Sequence, residues 1–339
     1  MRLLVFEFVS GGGMAGRSVP PSLVREGRAM RDALVEDLAA LRIHDIVTTA
    51  DPRFPLKRIP GGVEVIPVRG AAALHRLFRE TDAAWLIAPE TGGWLESLAT
   101  RASRSGARVL GPSARAIRRA ADKASLPARL AEGGVRHPDT RAVPSLSAAL
   151  RAARNLGFPV VIKPARGAGC AGVTRVSREA DLPAALARAQ RAAGVRGALV
   201  QRFVSGTAAS VALLCAGRRS RVLAVSGQTL AGGALFAYAG GETPLAHPQA
   251  ARAAAAARRA CRSLRGLKGY VGVDVVLTDT DAFVIEVNPR LTTSYLGVRA
   301  SLRENVAGLA LVACAGTLGA VSRSRRRVIF TAAGRVRSA

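Results

Sequence analysis

Along the first third of the chain, short apolar runs alternate with longer stretches in which apolar residues recur every three or four positions. Residues 3–9, 45–49, 63–68, 83–88 and 109–110 have the length and composition of strands, and 23–41 and 93–105 have the spacing of amphipathic helices. Alternation of this kind predicts an open α/β sheet, because each parallel return needs a crossover. In such sheets ligands gather beyond the carboxyl ends of the strands, so the turns 10–13 and 89–93 are predicted to face a cleft.

A helix over 111–123 marks a boundary. Beyond it come a turn-rich segment 134–139, a helix 146–156, a strand 159–163, the glycine-rich loop 167–172, a strand ending at Val176, a helix 182–192 and a strand 198–203. These compose a small α+β unit. From Gly206 onward the pattern predicts strands 209–215 and 221–226, a helix 248–264, a hairpin 269–288 and a closing helix 304–316. The fold class is therefore α/β followed by α+β, divided as 1–112, 113–205 and 206–320, with 321–339 left as a basic surface tail around Arg323–Arg327.

The hairpin carries the first chemistry. Both arms alternate at strand period around a polar turn at 279–281, and with the turn centred on Thr280 the carboxylates of Asp274 and Glu286 lie opposite one another. Asn288, two residues on, shares their face. Opposed carboxylates repel unless a cation lies between them, and two carboxylates with an amide oxygen suit Mg²⁺, whose octahedron phosphate oxygens and water complete. The bland alternative is an exposed acidic strand face, which the surrounding β-branched residues disfavour.

Composition then changes the picture in one respect. The chain has 50 Lys and Arg together, of which only Lys57, Lys123, Lys163 and Lys268 are lysines. Where arginine has displaced lysine almost everywhere, a retained lysine points to a specific use. Lys163 ends an apolar strand directly before the glycine loop, where backbone amides can cradle phosphate and a compact ammonium can neutralise it. Lys123 ends the boundary helix, whereas Lys57 and Lys268 read as surface lysines. The loop itself is neither a Walker A sequence nor a dinucleotide fingerprint.

The net charge of +27 raises a second class, a nucleic-acid-binding basic protein. The arginines are scattered beside alanines and no binding motif accompanies them, so a solvated basic surface that attracts anionic substrates is the favoured reading. Cys170, Cys215, Cys261 and Cys314 show no zinc or disulfide spacing, as expected in the cytoplasm. Arg2 and the apolar residues after it mimic a signal peptide until Glu7 interrupts them; they read as a first strand. No stretch approaches the roughly 20 apolar residues that span a bilayer. His44, His75, His137 and His247 fall in no readable motif.

Taken in order, Asp122-Lys123, GFPVVIKPARGAGCAGV (157–173), LVQRFVSG (199–206), GVDVVL (272–277) and FVIEVNPR (283–290) resemble the motifs of the ATP-grasp superfamily across essentially the whole chain. The resemblance implies a Rossmann-like pre-ATP-grasp domain over 1–112 and a two-subdomain ATP-grasp fold that holds ATP between 113–205 and 206–320. Lys123 and Lys163 would meet the phosphates along with Gly167, Gly169 and Gly172, and the segment Gln201, Arg202, Phe203 and Val204 would line the adenine edge. Asp274, Glu286 and Asn288 match the ligands of two Mg²⁺ ions, for which Mn²⁺ is the substitute. Gln201 departs from the acidic residue often found there, and no acid stands near Ala208 or Ala209 to meet the ribose.

Within the superfamily, LLVFEFVSGGG (3–13), LIAPETGGWLESL (86–98) and EVNPRLTTSY (286–295) look like the tyramine–glutamate ligases of methanofuran biosynthesis. This implies a small-molecule carboxylate resembling glutamate, an amine, an acyl-phosphate intermediate and an amide product. Relatives are often homodimers. Lys163 and Arg290 are then the catalytic candidates, Arg290 gripping a carboxylate or, alternatively, making a structural ion pair. Gly11, Gly12, Gly13, Glu90, Thr292, Thr293 and Ser294 are candidates for the substrate cleft. Glu90 either meets the amine or serves as a helix-start acid. Another amino-acid ligase, a carboxylase-type enzyme or a silent ATP-binding module would share the same ATP site.

Overall fold

The computed structural model describes residues 1–339 apart from Arg166, Ala168, Gly169, Val195 and 323–325. Its first part contains β1 (Arg2–Glu7), α1 (Pro21–Ala40), β2 (Asp45–Ala50), β3 (Val63–Pro67), α2 (Ala71–Glu80), β4 (Ala83–Ile87), α3 (Trp94–Arg104) and β5 (Arg108–Val109). The five strands pair in parallel in the order β3-β2-β1-β4-β5. Strand order reverses between β1 and β4, so a crevice opens at their carboxyl ends, where the turns after Glu7 and Ile87 meet. Helix α2 lies outside the predicted elements, although its buried Leu74, Leu77 and Phe78 recur at helical spacing.

Ser113 starts the next part by accepting a hydrogen bond from the Ala116 amide, the N-cap of α4 (Ala114–Ala121). There follow α5 (Leu126–Glu132), β6 (Thr140–Val143), α6 (Leu146–Leu156), β7 (Val160–Lys163), β8 (Thr174–Val176), α7 (Leu182–Ala193) and β9 (Ala198–Arg202). The strands form an antiparallel sheet in the order β6-β9-β7-β8. Val160, Ile162 and Val200 pack with Ala149, Ala153, Leu182 and Leu186 of α6 and α7. By alternation, Lys163 and Gln201 project from the other face.

The last part contains β10 (Thr207–Ala216), β11 (Arg219–Ala231), β12 (Ala237–Thr243), α8 (Ala250–Ser263), β13 (Lys268–Leu277), β14 (Ala282–Asn288), α9 (Tyr295–Ser301), α10 (Val306–Cys314), β15 (Val328–Thr331) and β16 (Val336–Ser338). Its antiparallel sheet has seven strands in the order β14-β13-β10-β11-β12-β15-β16. Alanines of α8 cover Val211, Leu213, Val273 and Val275 on one face. On the other side a second core joins Ala212, Leu214 and Tyr270 to Leu34, Val35 and Leu38 of α1 and to Leu3 and Val5 of β1. The first and last sheets thus share one apolar interior.

The basic tail expected over 321–339 is corrected here. Val328–Thr331 pairs with β12, Phe330 is 2% exposed within the shared core, and β16 adds the sheet's last strand. A four-residue arm has too little periodicity to announce itself; pairing with β12 decides it. The arginine run begins in residues 323–325, outside the described residues. Among the described residues no helix is long and apolar enough to cross a membrane.

Candidate functional site

The β13–β14 hairpin sets Asp274 opposite Glu286 and Gly272 opposite Asn288. It reaches that register through an irregularity. Leu277 pairs with Ala282, Val276 with Phe283 and Val275 with Val284, after which Ile285 is passed over before Asp274 meets Glu286. Without that extra residue Glu286 would turn to the opposite face, where α8 packs. The bulge therefore aims the second carboxylate into the cleft.

Asp274 accepts from Asn288 Nδ2 at 2.9 Å and from Gln228 Nε2, on β11, at 2.9 Å. Glu286 Oε2 lies 2.5 Å from Lys123 Nζ. Lys163, only 4% exposed, donates to Gln201 Oε1 at 3.0 Å, and Gln201 Nε2 donates to Thr140 Oγ1 at 2.8 Å. Gln201, the departure from the family's usual acid, is thus the neutral acceptor that orients Lys163.

Burial first, then the neighbouring Glu286, pushes the Asp274 carboxyl up to about 7. Burial acts on Glu286 in the same sense, but the Lys123 ammonium outweighs it and holds that carboxyl at about 2. Burial, followed by the repulsion of Lys123, lowers Lys163 to about 8. Two carboxylates this close retain a proton that a dication between them would displace. Among the described residues no group of three His, Cys, Asp or Glu is placed to hold a metal ion. Two carboxylates and one amide fill only part of a magnesium shell, leaving positions for phosphate oxygens and water. The donor set fits the ion on those terms.

Gly169 lies outside the described residues. Gly172 has φ +73° and a side chain there would stand 2.7 Å from Ala192 Cβ, so packing against α7 explains this glycine without a phosphate. Gly167 is partly buried. Cys170, between them, has its thiol pushed up to about 12 by burial and then by the negative charge of Glu286 and Asp274. Arg202 turns away to Asp139 at 3.3 Å, beside an open hollow of about 630 Å³ that Phe203, Val204, His137 and Phe283 also line. Neither the two lysines nor the two carboxylates border this hollow. Phe203 lies under the Arg175 guanidinium, 4.3 Å from ring centre to carbon.

The other wall comes from the first sheet. Glu90, 7% exposed, faces Arg290 with Oε1 3.0 Å from Nε, yet neither atom makes an aligned hydrogen bond. Arg290 thus makes the structural ion pair that was its alternative reading, and its partner is Glu90, which the sequence had offered to the amine or to a helix start. Thr293 donates to Glu26 of α1, Thr292 Oγ1 lies 2.9 Å from Ser294 Oγ, and Ser294 lies 3.3 Å from the Tyr270 hydroxyl. The three hydroxyls are therefore engaged with protein partners.

Gly11, Gly12 and Gly13 pack against their own domain. A side chain would come within 2.6 Å of Thr49 at Gly11, 2.5 Å of the Val68 carbonyl at Gly12 and 2.5 Å of Phe8 at Gly13; Gly12 also has φ +100°. Glu7 holds the turn from below, accepting from the Val9 amide at 2.9 Å, the Ser10 amide at 2.6 Å and Ser10 Oγ at 2.7 Å. The wholly buried Arg31 donates to the Ser10 carbonyl at 3.1 Å. Glu26, Gln228, Glu7 and Arg31 escaped the sequence reading. Glu7 appeared there only as a break in an apolar run, and Glu26 sits among arginines on a helix where charge ordinarily means solvent.

A family profile described as the ATP-grasp domain matches residues 120–294, just over half the chain, and one described as the pre ATP-grasp 3 domain matches 44–117. The chain belongs to the ATP-grasp family. Solved structures agree with that membership. An Archaeoglobus fulgidus protein assigned to the ATP-grasp superfamily is 25% identical, with 98% of this chain and 92% of that one covered at a TM-score of 0.72. Biotin carboxylase from Campylobacter jejuni, in complex with β-γ-ATP, is 17% identical over 96% of this chain and 74% of its own, with a TM-score of 0.74. The L-amino acid ligase of Bacillus licheniformis is 16% identical over 96% and 78% respectively, with a TM-score of 0.70. The last two likenesses establish the ATP-grasp fold alone.

Proposed function

We propose that this ATP-grasp protein is an ATP- and magnesium-dependent carboxylate–amine ligase whose substrates are a glutamate-like acid and a tyramine-like amine, joined in methanofuran-type cofactor synthesis. The observation that carries the reading is the one hairpin face bearing Asp274, Glu286 and Asn288 beside the partly buried Lys123 and the buried Lys163. Bound magnesium would supply charge neutralisation across the β- and γ-phosphates. Asp274, Glu286 and Asn288 would hold it, with manganese as a substitute for the same oxygen donors. Lys163, fixed by Gln201, and Lys123 would neutralise phosphate oxygens from two sides.

A substrate carboxylate attacks the γ-phosphorus in line, giving an acyl phosphate and ADP; the amine then displaces phosphate to leave the amide. Arg290, already turned into the cleft, grips the carboxylate or the acyl phosphate. Positioning and charge neutralisation supply the catalysis, so no nucleophilic side chain is required. A homodimer is the assembly proposed. Four unpaired cysteines support a reducing, cytoplasmic setting.

The test measures ADP release with Mg-ATP across carboxylates and amines, including glutamate with tyramine. Release that depends on both substrates and vanishes in Glu286→Ala supports the reading. Undiminished activity in Glu286→Ala, or no substrate-dependent ADP, overturns it. Release with bicarbonate alone would assign the site to the carboxylase-type alternative.

A further inference from the structure

We infer that Gln228 is a positioning residue of the proposed metal site, its side-chain amide fixing the carboxylate of Asp274 and, through it, the amide of Asn288; the inference rests on the metal part of the reading above. Gln228 lies on β11, outside the hairpin that carries the three oxygen donors. Its Nε2 donates to Asp274 Oδ1 at 2.9 Å, and Asn288 Nδ2 donates to Asp274 Oδ2 at 2.9 Å. Each oxygen of that carboxylate therefore accepts from one amide.

Sheet register explains how Gln228 reaches Asp274. Asp274 of β13 pairs with Ser210 of β10, and Ser210 pairs with Ser226 of β11, so the three stand on one face of the sheet. Gln228, two positions beyond Ser226, stands on the same face. Strands β11 and β13 are separated by β10, so two strand spacings, roughly 10 Å, must be bridged. Ser210 and Ala208 on the intervening strand are small, and the long glutamine side chain passes over them.

The chemistry of the contact suits a metal ligand. A carboxylate has about four lone-pair sites, so two amide donors leave one on each oxygen for a cation. The nitrogen of Asn288 faces Asp274, which leaves its oxygen on the other branch of the amide for the same ion. Both donors are neutral and take nothing from the attraction of Asp274 for a dication, whereas a lysine would neutralise the carboxylate and a glutamate would repel it. Gln201 stands to Lys163 in the same relation, a neutral amide that accepts from the ammonium at 3.0 Å. Groups that hold a metal ligand in orientation are typically worth about 10- to 100-fold in metal affinity. The rival account is structural, in which Gln228 only satisfies a carboxylate and any donor would serve.

The experiment separates the two by changing the donor and its charge independently. Gln228→Met keeps the length and removes the donor; Gln228→Lys keeps a donor and adds a charge. Wild type and both variants are titrated with Mn²⁺ in the presence of a non-hydrolysable ATP analogue, free Mn²⁺ being read by electron paramagnetic resonance, with thermal melting recorded alongside. Gln228→Met should weaken Mn²⁺ binding by about tenfold or more. Gln228→Lys should weaken it at least as much while melting no lower than wild type, because its ammonium satisfies Asp274 and competes with the metal. In substrate-dependent ADP release, the Mg²⁺ concentration giving half the maximal rate should rise in both variants far more than kcat falls.

Wild-type Mn²⁺ affinity in Gln228→Lys would overturn the inference in favour of the structural account, and that variant decides the matter where Gln228→Met fails to fold. So would Mn²⁺ binding by a folded Gln228→Met within about twofold of wild type, or a loss of kcat with no change in the Mg²⁺ requirement. A wild type that binds the nucleotide analogue but no Mn²⁺ fails the metal reading itself and removes this inference with it.

Discussion

Lys163, Asp274, Glu286 and Asn288 stand on strands of two antiparallel sheets, near the places that strand period puts them, whereas Glu26, Glu90 and Arg290 come from a helix, a turn after a parallel strand and the residues beyond β14. The first wall is local: a hairpin register and one strand end create it. The second exists only because α1 docks against α9 and the last sheet through the shared core. The difference assigns separate work to each wall. On the proposed reading, the first wall serves the nucleotide and metal and the second faces the substrates.

The largest expected effect falls on the first wall. Lys163→Met should lower substrate-dependent ADP release by on the order of a hundredfold or more, since a preorganised charge at a transferring phosphate is removed. Melting temperature and circular dichroism should be nearly unchanged. Retention of a tenth of the activity would dissolve the distinction between the walls.

Next comes the contact that joins them. Arg290→Ala leaves Glu90 buried without its cation, which should cost about 3 kcal/mol in a denaturant titration in addition to activity. A variant as stable as wild type would mean that Glu90 finds another partner and that the second wall does not depend on this pair.

A smaller effect is expected behind the second wall. Gly12→Ala requires a side chain at φ +100° and 2.5 Å from the Val68 carbonyl. It should destabilise by about 2 kcal/mol. kcat/KM should be preserved, because the glycine faces its own domain. Lost activity at full stability would return the glycine turn to the substrate cleft.

The smallest effect concerns acid. The Arg53 hydrogen bond holds the Asp51 carboxyl below its ordinary 3.8, and Arg53 also donates to the Arg17 carbonyl at 2.9 Å and the Met14 carbonyl at 3.0 Å. A depressed folded value means stability present above 3.8 and lost as pH falls through the lower one. Unfolding titrations at stepwise lower pH should show that loss in wild type, and a flatter acid limb in Asp51→Asn. Identical acid limbs would remove Asp51 from the strapping of the turn.

Much of the site was legible because strand alternation is a local property. Asp274, Glu286 and Asn288 could be placed on one face from spacing alone, and the scarcity of lysine singled out Lys123 and Lys163. Even so, the centre at Thr280 gave the right pairing for an incomplete reason. Leu277 pairs with Ala282, and the bulge at Ile285 restores the register. Helix α2, strands β6, β12, β15 and β16 and helices α5 and α9 were not read, since short elements carry few periods. Glu26 resembled a solvated helix acid, and the hydroxyls of Thr292, Thr293 and Ser294 looked free until their partners were located. Gly11–Gly13 looked like a ligand-facing turn, yet Glu7 and Arg31 turn it inward.

Sequence alone determined the fold class, the order of the longer elements and which residues share the hairpin face proposed to meet phosphate and metal, because hydrophobic periodicity and residue chemistry are written over neighbouring positions. Only the tertiary structure decided that Glu90 meets Arg290, that Glu26 reaches Thr293 and that the chain's last residues complete a sheet. Those contacts join positions up to 267 residues apart, and what brings them together is burial of apolar surface between the first and last sheets, a non-directional force that no local pattern records.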